Sequence, residues 1–187
     1  MSKITENFNF IKHRQYNVNS INDYISGFVD EWFLDTSRQK NFEAHKDTNS
    51  YFLYKTNLGW QKNEKFVVSK ATKDEELLSL VEPIISELEE IHDGLRGNVL
   101  FIKLKGMHNI PEHTDGGNYL VFSRRHHIPI VTSNQTFFGV GSEKINMAVG
   151  ECWEINNTRT HSVDNNSSTD RIHLLIDIMP NSEIEIK

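Results

Sequence analysis

The stretch from 98 to 179 leaves this chain few choices of architecture. It contains NVLFIKLK (98–105), HHIPIVTS (126–133), QTFFGV (135–140), KINMAV (144–149), ECWEIN (151–156) and RIHLLIDIM (171–179). Each run is short and rich in β-branched or aromatic residues, and Gly, Asn, Asp and Ser separate them. Closely spaced strands with no helix between them must bury their apolar faces against one another. That points to a β-sandwich or barrel, with helices packed outside it.

The first half reads differently. Ser20, with Asp23 three residues later, is placed to cap a helix whose stripe would be Ile25, Phe28, Val29 and Trp32. YFLYKTNLGW (51–60) reads as a strand and turn. From Asp74 to His92 the residues Leu77, Leu78, Val81, Ile84, Ile85, Leu88 and Ile91 keep a helical period, and Pro83 predicts a kink or break in it. At 187 residues the chain suits a single domain that buries about 70% of its unfolded surface. Residues 1–97 would be its helical and mixed support, and residues 98–180 the β core that carries the site.

Composition then excludes several classes. No apolar run approaches the roughly 20 residues that cross a bilayer, so no membrane partner is expected. MSKITENFNFIKHRQ mixes charges of both signs without an apolar segment, which is not a secretory signal. The lone Cys152 has no partner for an internal disulfide and fits a reducing, cytoplasmic setting. With 26 acidic against 20 basic residues, the net charge of -6 argues against a nucleic-acid backbone as the main partner.

The chemistry concentrates in IPEHTDGG (110–117). In a strand, residues two apart share a face, so His113 and Asp115 can aim an imidazole and a carboxylate at one point, with Gly116 and Gly117 allowing a turn behind them. H-x-D alone is unspecific, and a third ligand is needed. His161, in the polar loop NNTRTHSVDN between two strands, is the best candidate. Two His and one carboxylate on one face leave coordination positions open, as in non-haem Fe(II) oxygenases, whereas zinc would recruit further His or Cys. Arg171 opens an apolar strand that also carries His173, and a guanidinium there needs an anion. A dicarboxylate cosubstrate would supply one through a two-pronged contact. SRRHHIPI places Arg125 and His127 on one face, either as a solvated basic turn or as a second anion-contacting pair.

These elements together resemble the aspartyl/asparaginyl β-hydroxylase family of Fe(II)- and 2-oxoglutarate-dependent dioxygenases, which includes free-proline hydroxylases. The matching pieces are H-T-D (113–115), R-H-H-I-P-I (125–130), G-E-C-W-E-I-N-N (150–157), H-S-V-D-N (161–165) and R-I-H-L-L-I-D (171–177), in the family's order over about residues 98–180. A fragment R-x6-H-x2-T at Arg38, His45 and Thr48 looks similar upstream. The resemblance implies a mainly β fold, a double-stranded β-helix (jelly-roll, cupin-like) with N-terminal and flanking α-helices. It implies His113, Asp115 and His161 as catalytic iron ligands and Arg171 as partner of the distal carboxylate of 2-oxoglutarate. Arg125 and His127 would lie near the chelating end of that cosubstrate, and Arg38, His45 or Thr48 would contact substrate. Some animal members lack the acidic ligand, whereas Asp115 is kept here. The implied reaction uses Fe(II), 2-oxoglutarate and O2 to hydroxylate a side chain in a protein or peptide, or a free amino acid.

A closed pocket would favour the free amino acid and an open groove a peptide. The rival class is a cupin-like metal-binding or sensing module without catalysis, which would give Arg171 no task. A purely structural β-domain would leave all the polar site positions unexplained.

Overall fold

The computed structural model describes residues 6–184. Eleven strands occur among them: β1 Phe10–Gln15, β2 Thr48–Thr56, β3 Val68–Lys70, β4 Gly94–Leu104, β5 His108–His113, β6 Arg124–Val131, β7 Thr136–Val140, β8 Glu143–Ile145, β9 Glu151–Ile155, β10 His161–Asn165 and β11 Arg171–Pro180. They form two antiparallel sheets. The larger runs β1-β9-β6-β11-β4-β2-β3 and the smaller β5-β10-β7-β8. The fold is the expected mainly β jelly-roll with helices outside.

Strand alternation decides what each face of the large sheet meets. In β11, Leu174, Ile176 and Ile178 join Val99, Phe101 and Ile128 against the helices α1 (Asn19–Ile25) and α3 (Glu75–Ile91), with Leu77, Val81, Ile85 and Leu88 filling the layer. The opposite face packs on the small sheet through Leu104 and Ile155 against Ile110, Phe138, Val140 and Val163. Arg171 and His173 point into this second layer, between the two sheets. Pro129 sits within central strand β6, where proline cannot donate to a ladder. The β11–β6 pairing is irregular at that point, which accommodates it.

Several sequence expectations shift. Asn17, not Ser20, serves the start of α1: its side chain accepts the Asn19 N–H at 3.1 Å, and Ser20 lies inside the helix. α1 stops at Ile25, so the stripe continues only as separate turns; Trp32 is buried in a 3-10 turn, but Val29 is exposed. α3 runs through Pro83 without a break. The proline and Ser79, whose carbonyl it leaves without its helical partner, both lie on the exposed face, so water can serve that carbonyl. KINMAV yields only the short β8. FIKHRQ, in the half read as helical and mixed, forms the edge strand β1. No helix among the described residues is long and apolar enough to cross a membrane.

Candidate metal centre and its cavity

The structure brings His113, Asp115 and His161 together: one ligand atom from each lies within 4.8 Å of the other two. The reason differs from strand alternation along one segment. His113 ends β5 and His161 opens β10, and the two are register partners in the antiparallel ladder, with ring centroids 4.2 Å apart. The segment read as a loop at His161 is thus a strand, in which Val163 and Asn165 are buried while Ser162 and Asp164 are half-buried. Such polar alternation carries little apolar signal. Asp115 lies beyond the end of β5. Its N–H bonds the Asn157 carbonyl at 3.1 Å, its carboxylate accepts from Asn157 Nδ2 at 3.2 Å, and Gly117 (φ +89°) then turns the chain into the short helix α4 (Asn118–Phe122).

The protonation states suit a cation. His113 Nδ1 lies 2.8 Å from the Pro111 carbonyl and His161 Nδ1 2.9 Å from that of Arg159. A carbonyl only accepts, so each Nδ1 carries the proton and each Nε2 presents a lone pair. Burial lowers the pKa of His161, with Asp115 opposing. Burial raises that of the Asp115 carboxyl, but Arg125 and then the two imidazoles outweigh it and hold it at about 2. Two imidazole Nε2 atoms and a carboxylate at one point are a donor set for a divalent ion such as Fe(II).

Arg125 lines the same cleft and is held by two carboxylates. Its Nε and Nη2 donate to the two Asp177 oxygens at 2.8 and 2.9 Å, and Nη1 donates to Asp115 Oδ2. Asp177, wholly buried, also accepts from Tyr119 Oη at 2.9 Å, and that hydroxyl takes the Asn98 N–H at 2.7 Å. Arg125 therefore holds the acidic ligand in position, its own charge met from behind. A carboxylate inside the apolar run RIHLLIDIM needs a cation as surely as Arg171 needs an anion, so the same argument could have found Asp177 in the sequence.

Arg171 is 2% exposed, and among the described residues no carboxylate pairs with it. Its Nη2 donates to His173 Nδ1 at 2.7 Å and its guanidinium stands 5.6 Å from the Phe138 ring centroid. Burial draws its pKa down to about 9. Since His173 Nδ1 accepts, its Nε2 must bear the proton, and that donor is buried without an acceptor. The buried Nδ1 of His127 also lacks a partner. Burial, then the neighbouring Arg171, drives both imidazoles well below their ordinary pKa, so both are neutral. His127 shares the inner face with Arg125, as alternation requires.

An open cavity of about 640 Å³ leads to this point past Arg38, His45, His113, Asp115 and Arg125. A narrower cleft continues to His127, His161 and Arg171. Arg38 donates to His45 Nε2 at 3.1 Å and has no carboxylate partner among the described residues. Burial and Arg125 bring its pKa down to about 10, against the pull of Asp115 and Asp177. Thr48 does not reach the cavity. Its hydroxyl donates to the His45 carbonyl at 2.7 Å and accepts from Gln39, so it supports the turn that presents His45.

A family model described as aspartyl/asparaginyl beta-hydroxylase matches residues 23–180. In fold the chain is similar to an oxidoreductase of the 2OG-Fe(II) oxygenase family from Burkholderia pseudomallei, with a TM-score of 0.56 and 11% identity over 75% of this chain and 71% of that one. Smaller overlaps occur with a predicted oxalate decarboxylase from Thermotoga maritima (TM-score 0.37, 15% identity, 49% of this chain and 72% of that one). A cupin domain from Bordetella pertussis overlaps to a similar degree (TM-score 0.36, 18% identity, 44% and 81%). None of the curated proteins matches this chain.

Proposed function

Because the chain belongs to the aspartyl/asparaginyl β-hydroxylase family, we propose that it is an Fe(II)- and 2-oxoglutarate-dependent dioxygenase that hydroxylates an amino-acid side chain. The observation that carries this reading is Arg171, a buried guanidinium with no carboxylate partner among the described residues, at the inner end of the cleft that passes His113, Asp115 and His161. Iron bound there supplies, with 2-oxoglutarate and O2, the oxidation of an unactivated C–H bond.

The chain's own residues do the positioning. His113 and His161 offer Nε2 lone pairs because backbone carbonyls hold their other protons. Asp115 stays ionised, and Arg125 and Asn157 fix its orientation. Arg171 grips the distal carboxylate of the cosubstrate, for which a planar fork is suited. His127, neutral and with an unpartnered Nδ1, is the nearby polar group for its chelating end. Phe138 and Leu175 line the cleft between and keep water out.

Arg38 at the wider mouth is the natural anchor for a substrate carboxylate, with His45 beside it. The mouth is open, so a residue within a peptide or protein fits as well as a free amino acid. The test is an anaerobic crystal soaked with Mn(II), 2-oxoglutarate and candidate amino acids and peptides. Metal density among His113, Asp115 and His161, with a carboxylate on Arg171, is expected. A bound metal with no 2-oxoglutarate at any concentration would favour a non-catalytic metal-binding module instead.

A further inference from the structure

SRRHHIPI holds one histidine that the cavity does not use. Alternation sends Arg125 and His127 towards the small sheet, so the wholly buried His126 points to the other face of β6. There it meets His13 of β1, His92 at the C-terminal cap of α3 and Glu154 of β9. One donor atom from each of the four lies within 4.8 Å of the others. We propose that His13, His92, His126 and Glu154 form a second metal site, a closed three-nitrogen, one-oxygen site for Zn(II), on the face of the large sheet away from the cavity.

Spacing is the first argument. Zinc bonds of about 2.0–2.2 Å in a tetrahedron set donors roughly 3.4 Å apart. Here His92 Nε2 and His126 Nε2 are 2.8 Å apart, His13 Nε2 is 3.1 Å from Glu154 Oε2, and His92 Nε2 is 4.0 Å from the same oxygen. Small side-chain rotations would bring all four donors onto one ion.

The surrounding groups already orient the donors. His126 Nδ1 donates to the Ile176 carbonyl at 3.2 Å, which leaves its Nε2 lone pair facing the cluster. The other Glu154 oxygen accepts from Arg124 Nη1 at 3.2 Å, and Glu6 grips Arg124 in turn, so only Oε2 is turned to the cluster.

Four protein donors close the coordination shell, which is the pattern of a structural zinc site rather than a reactive one. The ion would join edge strand β1 and the end of α3 to β6 and β9 within the sheet. These donors lie far apart in sequence, so one clip would close several long loops of the unfolded chain.

The test uses the full chain carrying His113→Ala and His161→Ala, so that zinc uptake reports on the second site alone. The protein is stripped with a chelator and given Zn(II), with stoichiometry read by elemental mass spectrometry and affinity by competition with a chromophoric chelator. We expect one bound zinc and a raised Tm. Adding His13→Ala or, separately, His92→Ala should weaken binding by more than about 100-fold and abolish the Tm rise. Those side chains are only partly buried, 15% and 13% exposed, so the variants should fold, and far-UV circular dichroism of the metal-free proteins checks this. Co(II) in place of zinc should give the intense visible bands of tetrahedral coordination. No zinc taken up by the His113/His161 variant, or undiminished uptake in folded His13→Ala and His92→Ala proteins, would overturn the proposal and leave the four side chains as a hydrogen-bonded cluster.

Discussion

Replacing Arg171 with methionine should make the ligand-free protein more stable and the cosubstrate site useless. The guanidinium is 2% exposed, and among the described residues it is balanced by His173 Nδ1 and the Phe138 ring. The ring contact is worth about 0.5–2 kcal/mol and a hydrogen bond from a charged donor about 1.5–3 kcal/mol. Several kcal/mol of desolvation oppose them. A methionine of similar length keeps the packing and removes the uncompensated charge, so we expect a gain of about 1–3 kcal/mol. For a chain of this size that raises Tm by roughly 3–10 °C. Cosubstrate binding should move the other way. Losing a charge-assisted pair at a desolvated site costs about 2–5 kcal/mol, or roughly 30- to 5,000-fold in Kd. The assay is thermal unfolding with and without Mn(II), then with Mn(II) and 2-oxoglutarate. At about 100 times the wild-type Kd the cosubstrate should add about 2.7 kcal/mol to the wild type and less than about 1 kcal/mol to the variant. Arg171→Lys keeps the charge without the fork and should fall between. A methionine variant that is destabilised without ligand yet binds 2-oxoglutarate normally would refute the reasoning, because the charge would then be balanced within the protein.

Three further outcomes follow from the same geometry. His161→Ala should lose tight iron binding and turnover while the far-UV spectrum stays native; undiminished iron affinity and activity would remove His161 from the site. In metal-free protein the Asp115 carboxyl titrates at about 2 rather than its ordinary 3.8, so its stabilisation, about 2 kcal/mol, is complete above about pH 4 and fades as pH falls towards 2. Tm followed against pH should therefore drop less steeply in that window for Asp115→Asn, and identical slopes would contradict the assignment. Asp177→Asn strips the buried Arg125 of its main counter-charge and should cost about 3–5 kcal/mol in urea unfolding, with a loss under about 1 kcal/mol showing that Asp115 alone suffices.

The apolar strands were legible in the sequence because burial on both faces demands β-branched and aromatic residues whatever their neighbours, as in RIHLLIDIM and NVLFIKLK. Strand alternation, ligand chemistry and the order of the family-like motifs singled out His113, Asp115, His161 and Arg171, and all four line one cleft. What stayed hidden depends on partners distant along the chain. β10 looked like a loop because four of its five residues are polar, and its ladders with β5 and β7 make it a strand. The sequence did not show that β11 sets Asp177 beside Arg125. His13, His92, His126 and Glu154 carry no spacing signal, since they come from an edge strand, a helix end and two separate strands. A single sequence records which side chains a strand carries and which face each one takes. Which charges and lone pairs end up within 3 Å of each other is set by sheet order and register, and those are decided only when the chain closes on itself.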